Sequence, residues 1–376
     1  MNNIDKRYQL AKKVTFYLLA AILFLYAIIA VRNFLYPIAF GFLLAYLAYP
    51  IVNWLEKKRV PRIVASFITI ISTLAVFGGI AIFVIAKFGP FAEKLPEMVE
   101  LAMANLIDQL SRFGSAFGLN PDETKIFVES KIEDLMNTGD NFFGDVFSTT
   151  ANTIFTFAIL PVYIFLFLYY RTKFAYFMFK ITPKARKADL INILRQISKV
   201  SAQYLWGVLI VVLILMIINT VGLTIVGVKY ALPLGIISAL FNFIPYFGTL
   251  LGGAVPLLFA ILVENDIALA FKVLILFIII QFIENNILTP NIVGSNVKVN
   301  PFFIITGLVG ASMVWGIPGM LLIVPFLAIS KIVFSHIESM KPFAFLLGEE
   351  GTAKHAIQFK KLQKYLPFIK KSNPDV

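Results

Sequence analysis

Eight stretches of this chain are too apolar and too long for a water-soluble fold. They lie near 14–31, 34–55, 63–86, 150–170, 204–228, 231–263, 267–289 and 301–334. A hydrocarbon core of about 30 Å is crossed by about 20 apolar residues in helical form. No water is available there, so backbone groups must bond within the segment. The expectation is an all-α integral membrane protein. Composition agrees: 59% of the 376 residues are apolar and 14% are charged, against about half and about a quarter in soluble chains. The first run has a basic flank (Lys6, Arg7, Lys12, Lys13) but no small-x-small cleavage pattern, and a second run follows at once. It reads as a span rather than a removable signal.

Several functions are excluded by what is missing. There is no cysteine, and His336 and His355 are the only histidines, so thiolate chemistry and a zinc site have no ligand set. No G-x-x-x-x-G-K-[ST], H-E-x-x-H or G-x-S-x-G occurs, which argues against ATP-driven transport and against an enzyme. Arg-rich spans are absent, so voltage sensing is excluded. No cofactor is expected, and a proton or Na+ is the candidate coupling ion. The net charge of +12 points to cytoplasmic loops and lipid headgroups rather than nucleic acid.

Loop charges set the orientation. Basic residues crowd the start, the 56–62 loop (Lys57, Lys58, Arg59, Arg62) and 171–203, which holds eight Lys and Arg against Asp189. The tail from Lys331 holds eight lysines and four acids, whereas 91–147 holds eleven acids and four bases. The chain therefore divides into a cytoplasmic N-terminus (1–13), three transmembrane helices (14–86), an extracytoplasmic helical insert (87–149) and a transmembrane helix (150–170). A cytoplasmic amphipathic linker helix (171–203), a transport core (204–334) and a cytoplasmic basic tail (335–376) follow. This is a multi-pass protein of the cytoplasmic membrane with both termini inside.

Two segments lie outside the apolar runs. Phe91, Leu95, Met98, Ala102, Leu106, Leu110 and Phe113 recur at helical spacing, and Asn120-Pro121-Asp122-Glu123 reads as a second helix start. Such a stripe is first a packing or oligomer-contact face; capture of substrate outside the cell is the sharper alternative. After Thr182-Pro183, Leu190, Leu194, Ile197 and Val200 form one face and Lys and Arg populate the other. This predicts a helix at the cytoplasmic interface, close to anionic headgroups.

The last third holds a repeat. Segment 231–263 would run roughly 50 Å as one straight helix, and 301–334 has the same excess. Each is interrupted, by Asn242-Phe243-Ile244-Pro245-Tyr246-Phe247-Gly248 and by Trp315-Gly316-Ile317-Pro318-Gly319, where proline and glycine break helices. Pro233, Ile236, Ile237 and Leu240 align with Pro301, Ile304, Ile305 and Leu308. Val255-Pro256 aligns with Val324-Pro325. Either both segments span, or each is a re-entrant broken-helix hairpin. In the second case, these sixth and eighth of about eight hydrophobic segments form an inverted repeat. Leg length and repetition favour hairpins. Broken backbone at membrane depth requires burial in protein or a watery cavity.

The run 267–289 carries Gln281, Glu284, Asn285 and Asn286. Burying the Glu284 carboxylate costs several kcal/mol unless it is paired, hydrated or protonated. It reads as a substrate or proton site, or as a helix-end carboxylate at the interface, since Pro290 follows. Asn242 and Tyr246 sit at the first break, Asn242 as a cap or a ligand. Asn219 reads as a helix–helix hydrogen bond, and Gly248-x-x-x-Gly252 as close helix packing.

These residues also carry a resemblance. Asn242-x-Ile244-Pro245-Tyr246-x-Gly248, Glu284-Asn285-Asn-Ile-Leu-x-Pro290-x-Ile-Val-Gly294, Val299-x-Pro301 and Gly316-x-Pro318-Gly319 resemble the motifs of the autoinducer-2 exporter family of membrane permeases. The layout matches over essentially the whole chain. The resemblance implies a secondary transporter that exports a small polar solute such as autoinducer-2, by alternating-access or elevator-type movement. For other members it implies sodium/proton antiport. It also implies a homo-oligomer, a pentamer being one such assembly. Asn242, Pro245, Tyr246, Gly248, Glu284, Asn285, Pro290, Gly294, Trp315, Gly316, Pro318 and Gly319 are the candidate substrate-binding or translocation residues. The partners expected are a small polar solute or cation and the lipid bilayer. A non-transporting membrane scaffold is the reading from a different class. Fold does not carry the substrate with it.

Overall fold

The computed structural model describes residues 3–116, 150–245, 247–293 and 298–349. Among these the architecture is helical throughout, with no strand beyond one isolated bridge between Val299 and Gly348. The first half contains α1 (Asn3–Ala30), α2 (Arg32–Lys57), α3 (Arg62–Glu93), α4 (Leu95–Ala116) and α5 (Thr150–Ile181). The second half contains α6 (Lys187–Val226), α7 (Ala231–Phe241), α8 (Phe247–Leu258), α9 (Ile267–Ile292), α10 (Pro301–Ser335) and α11 (Lys341–Leu347). Six of the described helices are long and apolar enough to cross a membrane. The proposed second helix start at Asn120 lies outside the described residues.

The basic segment and the following span form one helix. No proline interrupts 187–226, so α6 runs unbroken for 40 residues, about 60 Å at 1.5 Å per residue. The expected separate interfacial helix is therefore the first half of a longer rod. Its apolar face is not left open, because Leu190, Ile197 and Tyr204 are buried.

Lipid tails are as apolar as leucine, so membrane helices associate by close packing and hydrogen bonds rather than by hydrophobic exclusion. One scaffold core joins α2, α3 and α5 through Ala45, Val52, Ala65 and Leu168. Beside it the Glu56 carboxylate bridges the Arg171 guanidinium and Arg62 Nε, the latter at 3.4 Å. Arg62 also donates to Thr172 Oγ1 at 2.9 Å, and Arg171 lies over the Tyr49 ring. Sequence reading took Arg62 and Arg171 only as topology charges and did not single out Glu56. Glu56 and Arg171 are about one-fifth exposed, between the surface and buried regimes for ion pairs. Arg171→Ala is expected to destabilise the protein by about 1–3 kcal/mol, seen as a lower melting temperature in detergent. An unchanged melting curve would mean that Arg62 alone satisfies Glu56.

Both interrupted segments fold back on themselves. In the first, α7 and α8 run antiparallel. At the base, Glu264 Oε1 accepts the Lys229 backbone N–H at 2.8 Å, and Tyr230 meets Phe259 edge-on. At the tip, 3₁₀-type bonds Asn242 N–H to Ala239 O and Ile244 N–H to Phe241 O close α7, and Gly248 N–H to Ile244 O opens the second leg. The backbone groups freed by the break are thus met locally. In the second segment, α10 turns at Gly316, whose φ of 63° and ψ of −143° suit only glycine. A Cβ added at Gly307 would lie 3.0 Å from Ile323 and 3.1 Å from Leu327. Such residues would stand roughly 24 Å or more apart in a straight helix.

The hairpins point in opposite senses. Leu223 and Val228, at the end of α6, share a core with Ala231, Leu234, Phe259 and Ala260 at the first hairpin's base and with Leu269 and Val273 of α9. Tyr204, about 28 Å back along α6 at 1.5 Å per residue, shares a core with Val299, Ile304, Leu308, Val324 and Ala328 of the second. The bases therefore sit at opposite ends of α6. The second hairpin's helix opens at Pro301, which aligns with Pro233, the third residue of α7.

Candidate functional site

The first hairpin, α6 and α9 enclose a small polar cavity. Its lining is Asn219 of α6, Ser238 and Asn242 of the first leg, Gly252 of the second, and Phe277, Ile280, Gln281 and Glu284 of α9. The α9 residues recur every three or four positions, so they share one helix face. Gly252 packs so tightly that an added Cβ would lie 2.6 Å from the Ser238 carbonyl oxygen. This bears out the reading of Gly248-x-x-x-Gly252 as close helix packing and lets the two legs wall one space. The cavity has room for about one water molecule or one bare ion.

The chemistry of the cavity is oxygen-rich. Glu284 is 8% exposed, and its carboxylate receives only a long 3.5 Å hydrogen bond from Gln281 Nε2. No Lys, Arg or His forms an ion pair with it among the described residues. Asn219 Oδ1 and Ser238 Oγ are buried without a hydrogen-bond partner in the protein. Buried polar atoms are almost always paired, and leaving one unpaired costs about 1–3 kcal/mol. Asn219 was expected to bond a neighbouring helix through its amide; its oxygen instead has no partner. A cluster of carboxylate, amide and hydroxyl oxygens is a donor set for a hard cation or a proton.

Glu284 also begins a π-helical turn, Glu284–Leu288, within α9. Such turns recur at functional sites. Glu284 is buried and lines the cavity, whereas Asn285, the next residue, is exposed and does not. Pro290 is exposed as well. Asn286 and Asn291 spend their amide donors on the carbonyls of Phe282 and Ile287 at 2.8 and 2.7 Å.

The predicted site residues are therefore only partly brought together. Asn242 and Glu284 meet in the cavity. Pro245 and Gly248 shape the first tip, where an added methyl at Gly248 would overlap the Phe241 carbonyl oxygen. Trp315, Gly316, Pro318 and Gly319 shape the second tip, which is not part of this lining. Trp315 donates to the Ile28 carbonyl of α1 at 3.3 Å. Tyr246 and Gly294 lie outside the described residues. Sequence reading missed Ser238. Its only signal is that it is the sole hydroxyl in an otherwise apolar first leg.

Comparison with known proteins is consistent along the chain. Residues 18–339 match the family model described as AI-2E family transporter. "Putative transport protein YueF" of Bacillus subtilis is 28% identical over 326 residues, covering 82% of this chain and 86% of the relative. "Putative transport protein YrrI" of the same organism is 27% identical over 326 residues, covering 83% and 89%. "Putative transport protein YhhT" of Escherichia coli is 22% identical over 299 residues, covering 80% and 83%. With a family match over most of its length and six long apolar helices, the chain is a multi-pass membrane transporter that belongs to the AI-2E family.

Proposed function

We propose that this protein is a secondary transporter in which Glu284 holds the coupling cation, a proton or Na+, in the cavity beneath the first hairpin. The observation that carries the reading is the buried carboxylate with no cationic partner among the described residues, beside two unpaired buried oxygens, Asn219 Oδ1 and Ser238 Oγ. Discontinuous helices with polar groups at the break are where secondary transporters place substrate and coupling-ion sites. Two hairpins of opposite sense, re-entering a cytoplasmic membrane from its two faces, supply the moving parts of an alternating-access or elevator-type cycle. Both termini lie inside, as the loop charges argue. The cargo is a small polar solute leaving the cell, autoinducer-2-like by family. The protein works as a homo-oligomer whose shared faces are the exposed apolar helices.

Sodium/proton antiport is the second reading, and the size of the cavity favours it. A space for about one water accepts a bare ion, which is all that antiport requires of it. Efflux of preloaded furanone from proteoliposomes separates the two. Under export, efflux rises above that of empty vesicles and depends on Glu284; under antiport alone, it stays at the level of empty vesicles.

A further inference from the structure

The geometry points to Asn105 and Gln109 of α4 as positioning residues that clasp the base of the first hairpin. The second leg of that hairpin ends in a π-helical turn, Phe259–Val263. The last carbonyls of a helix have no partner within it. Here two of them are met from more than 150 positions away in sequence. Asn105 Nδ2 donates to the Leu262 carbonyl at 2.7 Å, and Gln109 Nε2 donates to the Ile261 carbonyl at 3.2 Å. Gln109 Nε2 also reaches Asn265 Oδ1 at 3.2 Å. One turn separates the two donors on α4, so a single helix face presents both. Met98 of the same helix is buried in the core formed by Leu234, Phe259 and Ala260.

The surrounding base is shaped to be held. Asn265 and Tyr230 adopt left-handed backbone at φ 50° and 57°, Glu264 bonds the Lys229 N–H, and Asp266 caps α9 through the Leu269 N–H at 2.9 Å. Phe91 of α3 packs on Tyr230. The helical insert thus belongs mechanically to the hairpin. It fixes the base, so that displacement of the hairpin is confined to its tip, beside Glu284. What the held hairpin is for rests on the transport reading; the clasp itself does not.

The chain contains no cysteine, so single thiols report cleanly on local opening. Ala260 is fully buried beside the clasp, and Ala328 is 4% exposed in the second hairpin. The test compares maleimide labelling of Ala260→Cys and of Ala328→Cys in the full chain in lipid nanodiscs. Each is measured with and without the paired changes Asn105→Leu and Gln109→Met, which keep volume and remove the donors. Loss of both donors is expected to speed labelling at 260 by about tenfold or more, because two carbonyls lose their partners, and to leave 328 unchanged. Asn105→Gln with native Gln109 keeps a donor and is expected to label close to the parent rate, a rescue that a purely space-filling role would not show. Unchanged labelling at 260 overturns the clasp. Acceleration at both sites also overturns it, since that reports general loosening. If the double variant does not insert, Gln109→Met alone is read the same way. Labelling needs no transport, so failure of the transport reading leaves this result standing.

Discussion

Glu284→Gln is expected to abolish cation-coupled transport while leaving the protein folded. Glutamine keeps the shape of the side chain and its bond to Gln281 but cannot take up or release a proton or balance a cation. Activity in vesicles should fall by at least about tenfold, since an intramembrane carboxylate carries the coupling charge. Stability should move the other way or not at all. Glu284 is buried without a cationic partner among the described residues, and an unpaired buried charge is a burden on the fold. Removing it should leave the melting temperature equal or higher. A variant that loses transport and melts earlier would place Glu284 in the structure rather than in the coupling. Asn285→Ala provides the contrast. Asn285 is exposed and does not line the cavity, so its loss should leave cation coupling intact.

Gly248→Ala should be the most damaging conservative change in the first hairpin. The new methyl would meet the Phe241 carbonyl oxygen and Asn242 Cα, which are backbone atoms that cannot rotate away. Overpacking of this kind costs about 1–3 kcal/mol or more. The strain falls on the turn that places Asn242 in the cavity. The variant is therefore expected to lose transport with a melting temperature several degrees lower. Gly316→Ala tests the second tip by a different cause. There the space is open, but φ is +63°, so the penalty of about 1–3 kcal/mol comes from backbone strain. If Gly248→Ala retained full transport, the first tip would not be the rigid feature that holds Asn242 beside Glu284.

Much of this architecture is legible in the apolar pattern. The two over-long segments, 231–263 and 301–334, announce breaks because no bilayer needs a helix that long. Pro245 and Gly316 sit at or beside the turns that result. Glu284 stands out because a lone carboxylate in an apolar run demands a reason. Other features were hidden for physical causes. Ser238 and Asn219 look like isolated polar residues in separate helices, and only the antiparallel packing of α6 and α7 brings them to one cavity. Asn105 and Gln109 lie between the apolar positions of α4, so a hydrophobic stripe conceals them. Their partners are carbonyls, which have no letter in a sequence. The unbroken run of α6 was missed because a change from basic to apolar composition suggests a boundary, whereas a helix ends only where a proline, a cap or a lost hydrogen bond ends it. Trp315 was grouped with Glu284 because both lie in motif-rich sequence, yet the opposite senses of the hairpins send its indole to α1.

The claim at the centre of this account is that Glu284 holds the coupling cation, a proton or Na+. The direct test is furanone efflux from proteoliposomes across which a proton gradient or a Na+ gradient is imposed. The account predicts efflux that follows one of these gradients in the parent protein, keeps that dependence in Asn285→Ala and loses it in Glu284→Gln. Efflux from folded, correctly inserted protein that ignores both gradients, or that still follows its gradient in Glu284→Gln, would contradict it.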